Sequence, residues 1–281
     1  MTLDYRQQEL LAQWLPHAKL TADLSWGLVD STVLHMAAGE QEIIVKAGGP
    51  DNTHIAREIT AHRTAVPLLA ERGWAPTLLH ADRDARILVT TYIPGTLIDS
   101  GPLESDPAIL RQAGEILAVL HGPDSKIDPT IERNLMKAAL RWLDKPNGID
   151  PIAAERARAV LSDYQPGQVT VVPSHGDYSG RNWLQTRSGT AVIDFGRYGH
   201  RPARQDLLRL FFRRWYDHPV EREHFLEGYG NTSAIEGHDW WIDVLREAVA
   251  TAGWAHKVQD RSFECLGLRF IEIALTELER G

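Results

Sequence analysis

His-Gly-Asp-Tyr-Ser-Gly-Arg-Asn occupies residues 175–182 of the chain, and Val-Ile-Asp-Phe-Gly follows at residues 192–196. Within these two stretches Asp177 stands five positions before Asn182, and Asp194 follows that amide after a further twelve. Two carboxylates and an amide at this spacing, separated by an apolar segment, are the feature from which the fold and the chemistry are predicted.

The backbone between these side chains is predicted to bring them together. Gly176 and Gly180 permit unusual backbone angles, so the first stretch is expected to be a loop and not a helix. Residues 182–185 and 190–193 are predicted strands around a Thr-Arg-Ser-Gly turn. A hairpin of this kind returns the second acid to the start of the first strand, so the three polar side chains should converge.

This constellation is typical of phosphoryl transfer. That reaction needs a carboxylate near the accepting hydroxyl and oxygen ligands that hold Mg²⁺ against the triphosphate. Asp and Asn are also ordinary turn formers, and an Asp-Phe-Gly tripeptide alone is weak evidence. The whole pattern, His-Gly-Asp with Asn five residues after the Asp and then strand-Asp-Phe-Gly, is much more specific.

The pattern resembles the catalytic loop and the metal loop of the aminoglycoside phosphotransferase and choline kinase family, which shares the protein-kinase fold. The resemblance implies that Asp177 is the catalytic base and that Asn182 and Asp194 are Mg²⁺ ligands. It implies a structural role for His175, which fits a histidine that donates hydrogen bonds to the backbone before a turn.

A lysine and a glutamate in the first third of the chain fit the same family. Residues 42–47 read Glu-Ile-Ile-Val-Lys-Ala, an apolar strand that carries Lys46. A lysine on a buried strand needs a partner, which a phosphate or a carboxylate can provide. Glu58 follows on a predicted helix, and the resemblance makes Lys46 the phosphate-binding lysine and Glu58 its ion-pair partner. A strand-end lysine and a solvated glutamate are the alternative.

The remaining nucleotide contacts are predicted from two segments. Residues 25–35 indicate a hairpin whose turn, with Gly27, Ser31 and Thr32, offers N–H groups and hydroxyls to phosphates, and Val33 is a candidate for the adenine ceiling. Thr91, Tyr92 and Ile93 end a strand before Pro-Gly and resemble the kinase hinge, where backbone groups would bind adenine. An ordinary strand followed by a loop would look the same.

The predicted fold class is α+β, a bilobal protein-kinase-like fold with an N-terminal antiparallel sheet lobe and a larger, mainly helical C-terminal lobe. The nucleotide-binding lobe is expected over 1–93, and the catalytic and acceptor-binding lobe over 94–281. Helical spacing of apolar residues predicts the helices of the second lobe. They are expected at 106–121, 134–143, 152–164, 205–216, 220–229, 240–252 and 263–278. Asp206 is expected to cap its helix or to anchor the catalytic loop.

Composition points to a cytoplasmic enzyme without nucleic-acid or membrane partners. The 281 residues carry a net charge of −8, whereas nucleic-acid binding needs a basic surface. No apolar stretch approaches the roughly 20 residues of a membrane span, and the polar first ten residues are unlike a signal peptide. A single cysteine, Cys265, excludes an internal disulfide and suits a reducing compartment.

The acceptor is predicted to be small and cationic. Residues 199–204, which follow the metal loop, are short and basic and contain no Ala-Pro-Glu triplet, so a peptide-docking platform has no obvious room. Residues 221–281 contain twelve acidic and six basic residues, a local charge of −6. Acidic and aromatic side chains there would attract a polycation, although a solvated helix face explains each residue equally well. The candidates are Glu227, Glu236, Asp239, Trp240, Trp241, Asp243 and Glu264.

Several acceptors remain open at this point. The family resemblance makes a cationic antibiotic the first expectation, either an aminoglycoside or a tuberactinomycin-type peptide such as viomycin or capreomycin. ATP and Mg²⁺ would be the cofactors, and antibiotic resistance the consequence. A metabolic kinase for choline, homoserine, methylthioribose or a fructosamine is the alternative. A non-catalytic pseudokinase is a remote one, because such a protein would lack a key side chain. The sequence does not determine the oligomeric state.

Overall fold

The computed structural model describes residues 3–25, 30–99, 101–122, 124–230 and 235–280. The chain divides into two compact units. The first unit comprises Met1–Asp124, Pro173–Gly199 and Gly228–Gly230, and the second comprises Ser125–Val172, His200–Glu227 and Asn231–Gly281. The functional division into lobes at residue 93 stays a prediction.

An antiparallel sheet of five strands forms the centre of the first unit, in the order β1-β2-β3-β5-β4. Its strands are β1 (Lys19–Asp23), β2 (Ser31–Ala38), β3 (Gln41–Gly48), β4 (Leu78–Asp82) and β5 (Ile87–Thr91). Three helices accompany it, namely α1 (Tyr5–Trp14), α2 (His54–Thr64) and the short α3 (Pro67–Ala70). The strand predicted at residues 42–47 is confirmed as part of β3. The strand expected to end with Thr91, Tyr92 and Ile93 is β5, but it ends at Thr91, so Tyr92 and Ile93 follow the strand.

The two faces of this sheet differ because successive residues of a strand point to opposite sides. Val45 and Ala47 of β3 pack with Leu11 of α1 in one apolar cluster. On the other face, Leu88 of β5 packs with Ile55 and Ile59 of α2. Lys46 lies between Val45 and Ala47 in β3 and opposite Leu88 in β5, so it shares the face that α2 covers.

The rest of the first unit positions the loop that carries Asp177. It contains β6 (Thr96–Leu97), α4 (Pro107–His121), β9 (Trp183–Thr186) and β10 (Gly189–Val192). The sheet order β10-β9-β6 includes the predicted hairpin, which is confirmed. Asp106 caps α4 by accepting from the N–H groups of Ala108 and Ile109, and Pro107 fits the first turn, so the helix predicted at 106–121 is confirmed.

The second unit is mainly helical, and every helix predicted there is present with somewhat different ends. The helices are α5 (Ile131–Leu143), α6 (Pro151–Asp163), α7 (Arg204–Leu210), α8 (Pro219–Tyr229, which ends in the first unit), α9 (His238–Val258) and α10 (Arg261–Arg280). A π-helical turn at Phe211–Trp215 continues α7. The short strands β7 (Lys126–Asp128), β8 (Val169–Ser174) and β11 (Gly199–Arg201) form a third sheet in the order β11-β8-β7.

The longest helices, α9 and α10, pack closely at a glycine. A Cβ atom at Gly267 of α10 would lie 2.6 Å from the backbone nitrogen of Ala252 in α9, so a larger residue does not fit there. Cys265 lies two residues earlier and is exposed. Within the described ranges, none of the helices is both long enough and apolar enough to cross a membrane.

Candidate active site

The loop before β9 holds Asp177 by hydrogen bonds from its own segment. Gly176 has a φ of +79°, a left-handed conformation that glycine adopts without steric cost. The Asn182 side chain donates to the carbonyl oxygen of Asp177 over 2.8 Å, which closes the loop. Gly180 was expected to need unusual angles as well, but it begins a 3-10 turn (Gly180–Asn182) and has no positive φ.

Asp194 is brought to this loop by the hairpin, as predicted. The N–H of Ile193 donates to the carbonyl oxygen of Asn182 over 3.0 Å, so the residue before Asp194 is fixed against the residue that begins the hairpin. Asp194 itself has a φ of +65°. Aspartate is one of the few residues that adopt this conformation readily, and its cost is of the order of 1 kcal/mol or more.

His175 connects the two segments and is completely buried. Its Nδ1 accepts from the N–H of Asp177 at 3.3 Å, and its Nε2 lies 3.1 Å from the carbonyl oxygen of Ile193. Because Nδ1 accepts, the proton of the neutral ring is on Nε2, which donates to that carbonyl. The ring also packs against Phe195, with centroids 4.8 Å apart. These contacts agree with the structural role expected for His175.

Lys46, Glu58 and Asp194 form an ion-paired group that we call the Asp194 cluster. Lys46 Nζ lies 2.8 Å from Glu58 Oε1 and 3.1 Å from Asp194 Oδ1. The Glu58 side chain is 4% exposed and that of Asp194 is 52% exposed. The cluster therefore has a buried end on α2 and an open end at Asp194.

The charges in this cluster shift one another's ionisation. Burial lowers the pKa of the Lys46 ammonium, but the charges of Asp194 and Glu58 outweigh burial and raise it above its ordinary value. The Lys46 charge lowers the pKa of the Asp194 carboxyl to about 2 against the opposing effect of burial. Lys46 and Asp194 are therefore both charged at neutral pH.

Sequence reasoning missed two arginines at Asp177. The Arg181 guanidinium contacts Asp177 Oδ2 through Nη2, and Arg197 Nε lies 3.8 Å from the same oxygen. Arg181 follows Asp177 by four residues in a compact loop, a spacing that could have indicated the contact. Arg197 follows the Asp-Phe-Gly stretch directly.

Sequence reasoning also missed His62, which stands one helical turn after Glu58 on α2. The ring is buried and makes an edge-on contact with Phe195, with centroids 5.7 Å apart. Burial, assisted by the Lys46 charge, lowers the pKa of His62 to about 4. A neutral histidine therefore packs against the Asp-Phe-Gly segment.

The phosphate-loop residues are only partly brought to Lys46. Val33 stands directly opposite Lys46 in the β2–β3 pair, so the two side chains share a face. Ser31 is two residues before Val33 and faces the same way, whereas Thr32 pairs with Ala47 and faces the opposite side. Ser31 and Thr32 were expected in a turn, but they begin β2 because pairing with β3 extends to Gly48. Gly27 lies outside the described residues.

The predicted hinge offers fewer donors than its three residues suggest. The N–H of Thr91 donates to Thr77 and the N–H of Tyr92 donates to Glu42, over 2.9 and 3.0 Å. In the part of the chain that the structure describes, the N–H of Ile93 donates to no other backbone carbonyl. A ligand at the hinge would therefore accept its hydrogen bond from the backbone N–H of Ile93.

Three of the seven predicted acceptor residues line one cavity in the second unit. The cavity has a volume of about 620 Å³, within the range of small-molecule sites. Glu227, Glu236 and Trp241 line it together with Glu223 and Arg222, so its charged residues sum to −2. Glu223 was not predicted, although its helical spacing of four from Glu227 places both on one face.

The other four predicted acceptor residues are engaged elsewhere in the second unit. Trp240 is buried, and so is Asp243, whose carboxylate contacts Arg204 and Arg246. Asp239 is exposed and accepts from the Tyr164 hydroxyl at 3.2 Å. Glu264 Oε1 lies 2.7 Å from His256 Nδ1. The structure does not bring these four to the cavity.

Asp206 is buried in the first turn of α7. The N-cap of that helix is Ala203, so Asp206 is not the cap residue. The alternative, that it anchors the catalytic loop, stays a prediction.

A comparison with family models decides the family. Residues 23–241 match the model of the phosphotransferase enzyme family, APH. The chain belongs to this phosphotransferase family. Together with the kinase fold, membership identifies a small-molecule kinase. The resemblance inferred from the Asp177 and Asp194 stretches is thereby confirmed.

Solved structures share the fold of this phosphotransferase at low identity. The aminoglycoside phosphotransferase APH(4)-Ia matches with a TM-score of 0.70 and 15% identity over 96% of this chain and 97% of that chain. The choline kinase LicA from Streptococcus pneumoniae matches with a TM-score of 0.65 and 15% identity over 96% and 97%. The spectinomycin phosphotransferase APH(9)-Ia, solved with ADP and spectinomycin, matches with a TM-score of 0.59 and 15% identity over 98% of both chains. No curated protein matches the sequence. The predicted α+β kinase-like fold is confirmed.

Proposed function

We propose that this phosphotransferase transfers the γ-phosphate of ATP to a hydroxyl of a cationic antibiotic. One observation carries the proposal: Lys46, Asp194, Asn182 and Asp177 converge in the first unit through the contacts described above. A cation, an exposed carboxylate, an amide and a buried carboxylate are the groups that phosphoryl transfer requires in one place.

The oxygen donors fit Mg²⁺. This ion prefers hard oxygen ligands and is usually bound by one or two protein side chains together with substrate phosphates. Asp194 offers an exposed, ionised carboxylate, and Asn182 offers an amide oxygen at the end of the 3-10 turn that precedes β9. When bound, the ion supplies positive charge to the phosphate oxygens.

Asp177 and Lys46 then have distinct tasks. The acceptor hydroxyl hydrogen-bonds the Asp177 carboxylate, which orients it in line with the γ-phosphorus and receives its proton. A bond forms between the acceptor oxygen and phosphorus, the bond from phosphorus to the bridging oxygen breaks, and ADP leaves with that oxygen. Lys46, held by Glu58, contacts the phosphates of ATP, while Val33 and the hinge at Ile93 receive adenine.

The acidic cavity in the second unit supports a cationic acceptor. Glu223, Glu227 and Glu236 outnumber Arg222, and Trp241 adds an aromatic face for an ammonium group. APH(4)-Ia is named an aminoglycoside phosphotransferase, and APH(9)-Ia holds spectinomycin. We assign an aminoglycoside or a tuberactinomycin-type peptide as the acceptor. Phosphorylation in the cytoplasm would add negative charge to the drug and confer resistance.

The decisive experiment is an acceptor screen by ADP release with Mg-ATP. The panel contains aminoglycosides, viomycin, capreomycin, choline, homoserine, methylthioribose and a fructosamine, each with the wild type and Asp177→Ala. Turnover confined to antibiotics and lost in the variant supports the proposal. Turnover on choline or another metabolite alone would assign the enzyme to metabolism. ATP binding without ADP release on any compound of the panel would favour the pseudokinase.

The cavity is tested on the acceptor that the screen identifies. Glu236→Gln and Glu223→Gln should each raise the KM for that acceptor about 5- to 10-fold, which is about 1 kcal/mol per lost charge pair at a part-exposed site. Glu115→Gln, an exposed glutamate of α4 in the first unit, is the matched control and should change nothing. An unchanged acceptor KM in both cavity variants would remove the cavity from the proposal.

A further inference from the structure

The carboxylate proposed to receive the acceptor proton is held by two guanidinium groups. Arg181 and Arg197 both approach Asp177 Oδ2, Arg181 in direct contact and Arg197 with Nε at 3.8 Å. The Asp177 side chain is only 5% exposed, whereas the two arginines are partly open to solvent. Asp177 is therefore a nearly buried charge whose arginine partners can reach the solvent side of the site.

Arg181 is the better placed of the two arginines. It belongs to the same 3-10 turn as Asn182, and Asn182 donates to the Asp177 carbonyl oxygen. The turn thus holds the Asp177 carbonyl oxygen through the Asn182 side chain and the Asp177 carboxylate through the Arg181 side chain. The Arg181 charge also reaches Asp194, where it contributes to the lowered pKa of that carboxyl.

An ion pair at the Asp177 carboxylate suits a reaction that depends on the orientation of the acceptor hydroxyl. The transition state of phosphoryl transfer is loose, so the protein contributes mainly positioning and charge stabilisation. A carboxylate free to rotate would hold the acceptor hydroxyl in many directions, whereas a guanidinium contact restricts the carboxylate plane.

The charge balance of the site agrees with a role of the two arginines in holding the Asp177 carboxylate. Asp177, Asp194 and Glu58 carry three negative charges, which the positive charges of Lys46, Arg181 and Arg197 match. Without the arginines the site would be net negative before an anionic triphosphate arrived, and like charges repel.

We propose that Arg181 is a positioning residue that holds the Asp177 carboxylate in the orientation required for phosphoryl transfer. The inference rests on the proposed function, because it assigns Asp177 to the acceptor hydroxyl. Arg197 supports the same oxygen from a longer distance and with a smaller effect.

A double-mutant cycle tests whether Arg181 acts through Asp177. Arg181→Gln should lower kcat about 10- to 100-fold, the loss typical of a misplaced catalytic group, while the KM for ATP stays unchanged and the variant stays fully folded at the assay temperature. Arg181→Lys retains the charge and should fall between the wild type and Arg181→Gln. Arg187→Gln, an exposed arginine in the β9–β10 turn, is the control for loss of a charge and should match the wild type.

The combined variant decides the outcome. If Arg181 acts through Asp177, Arg181→Gln should have no further effect on the residual rate of Asp177→Ala, measured by transfer of labelled phosphate. Equal fold losses in the wild-type and Asp177→Ala backgrounds, or an increase in the KM for ATP alone, would make Arg181 an independent phosphate contact and overturn the inference. A wild type that phosphorylates no acceptor would overturn the proposed function and this inference with it, whereas additive losses in an active enzyme overturn only the inference.

Discussion

Two groups of ion-paired carboxylates and basic side chains serve different purposes in this molecule. The Asp194 cluster, in the first unit, keeps one carboxylate 52% exposed beside a lysine. The Asp243 cluster, in the second unit, consists of Glu132, Arg204, Asp243 and Arg246, and the Asp243 side chain is 1% exposed. The exposure of the carboxylate separates a group that can receive a ligand from one that is closed off within the helices.

The Asp243 cluster neutralises itself. Arg246 Nη1 lies 2.6 Å from Glu132 Oε2, and Arg204 Nη2 lies 3.1 Å from Glu132 Oε1, while Asp243 contacts both arginines. Burial raises the pKa of the Glu132 carboxyl, and the Arg204 charge opposes that shift. The two carboxylates and two guanidinium groups leave no net charge for a ligand.

The largest expected effect is the loss of transfer on Asp194→Asn. The variant removes the exposed carboxylate assigned to the metal, an effect of several kcal/mol, so transfer to the acceptor found in the screen should fall by about three orders of magnitude. Asparagine tolerates the positive φ, and an ion pair whose carboxylate is 52% exposed contributes little to stability. The free energy of unfolding should therefore change by less than about 1 kcal/mol. Denaturant titration and initial rates check both statements, and full activity would contradict the assignment.

At the Asp243 cluster, a substitution should lower stability strongly. Asp243→Ala leaves two buried guanidinium groups without one of their partners and should cost about 3–5 kcal/mol of unfolding free energy. Asp239→Ala, one helical turn earlier on α9 and exposed, is the matched control and should cost no more than about 0.5 kcal/mol. Equal losses in the two variants would show that burial is not what distinguishes them.

A third effect is expected in the pH dependence of stability. The folded-state pKa of His62 is about 4, below its ordinary 6.5, so the unfolded chain binds the proton more tightly over that interval. Stability should therefore fall by about 3 kcal/mol as the pH drops from 6.5 to 4. His62→Phe keeps a ring against Phe195 and should remove this part of the pH dependence. Urea titrations of both proteins at pH 7, 5.5 and 4.5 check the prediction. An identical dependence of the unfolding free energy on pH in the wild type and in His62→Phe would refute it.

The smallest effect compares the two glycines of the Asp177 loop. Gly176→Ala places a Cβ at a φ of +79° and should cost about 1 kcal/mol. Gly180→Ala has an ordinary φ, and its Cβ would make van der Waals contact with Glu104 Oε1 at 3.4 Å, so it should stay within about 0.5 kcal/mol. Thermal unfolding of both variants measures the difference, and a reversed order would contradict the loop geometry.

Local spacing allowed much of the candidate site to be predicted. The hairpin between Asn182 and Asp194 is short and has an unambiguous turn, so its register follows from the sequence. Lys46 and Glu58 are twelve residues apart on consecutive elements, and the strand–helix connection leaves them few alternatives. The contact from Lys46 to Asp194 spans 148 residues, and only the family pattern made it predictable.

Two errors came from treating residues one at a time. Thr32 and Val33 were both assigned to the nucleotide, yet neighbours in a strand point to opposite faces, and Val33 alone pairs with Lys46. Asp243 was assigned to the acceptor from its charge. Its partner Arg246 also contacts Glu132, which lies 114 residues earlier in the chain, and no local pattern reveals a contact of that separation.

The exposed thiol on α10 gives the protein a built-in reporter. Cys265 is the chain's one cysteine, so a maleimide dye attaches at a single known position without engineering. It lies next to Glu264, whose carboxylate contacts His256 of α9, and thus reports on the α9–α10 pair. Oxidation of the same exposed thiol would link two molecules by a disulfide, so the oligomeric state is best measured under a reductant.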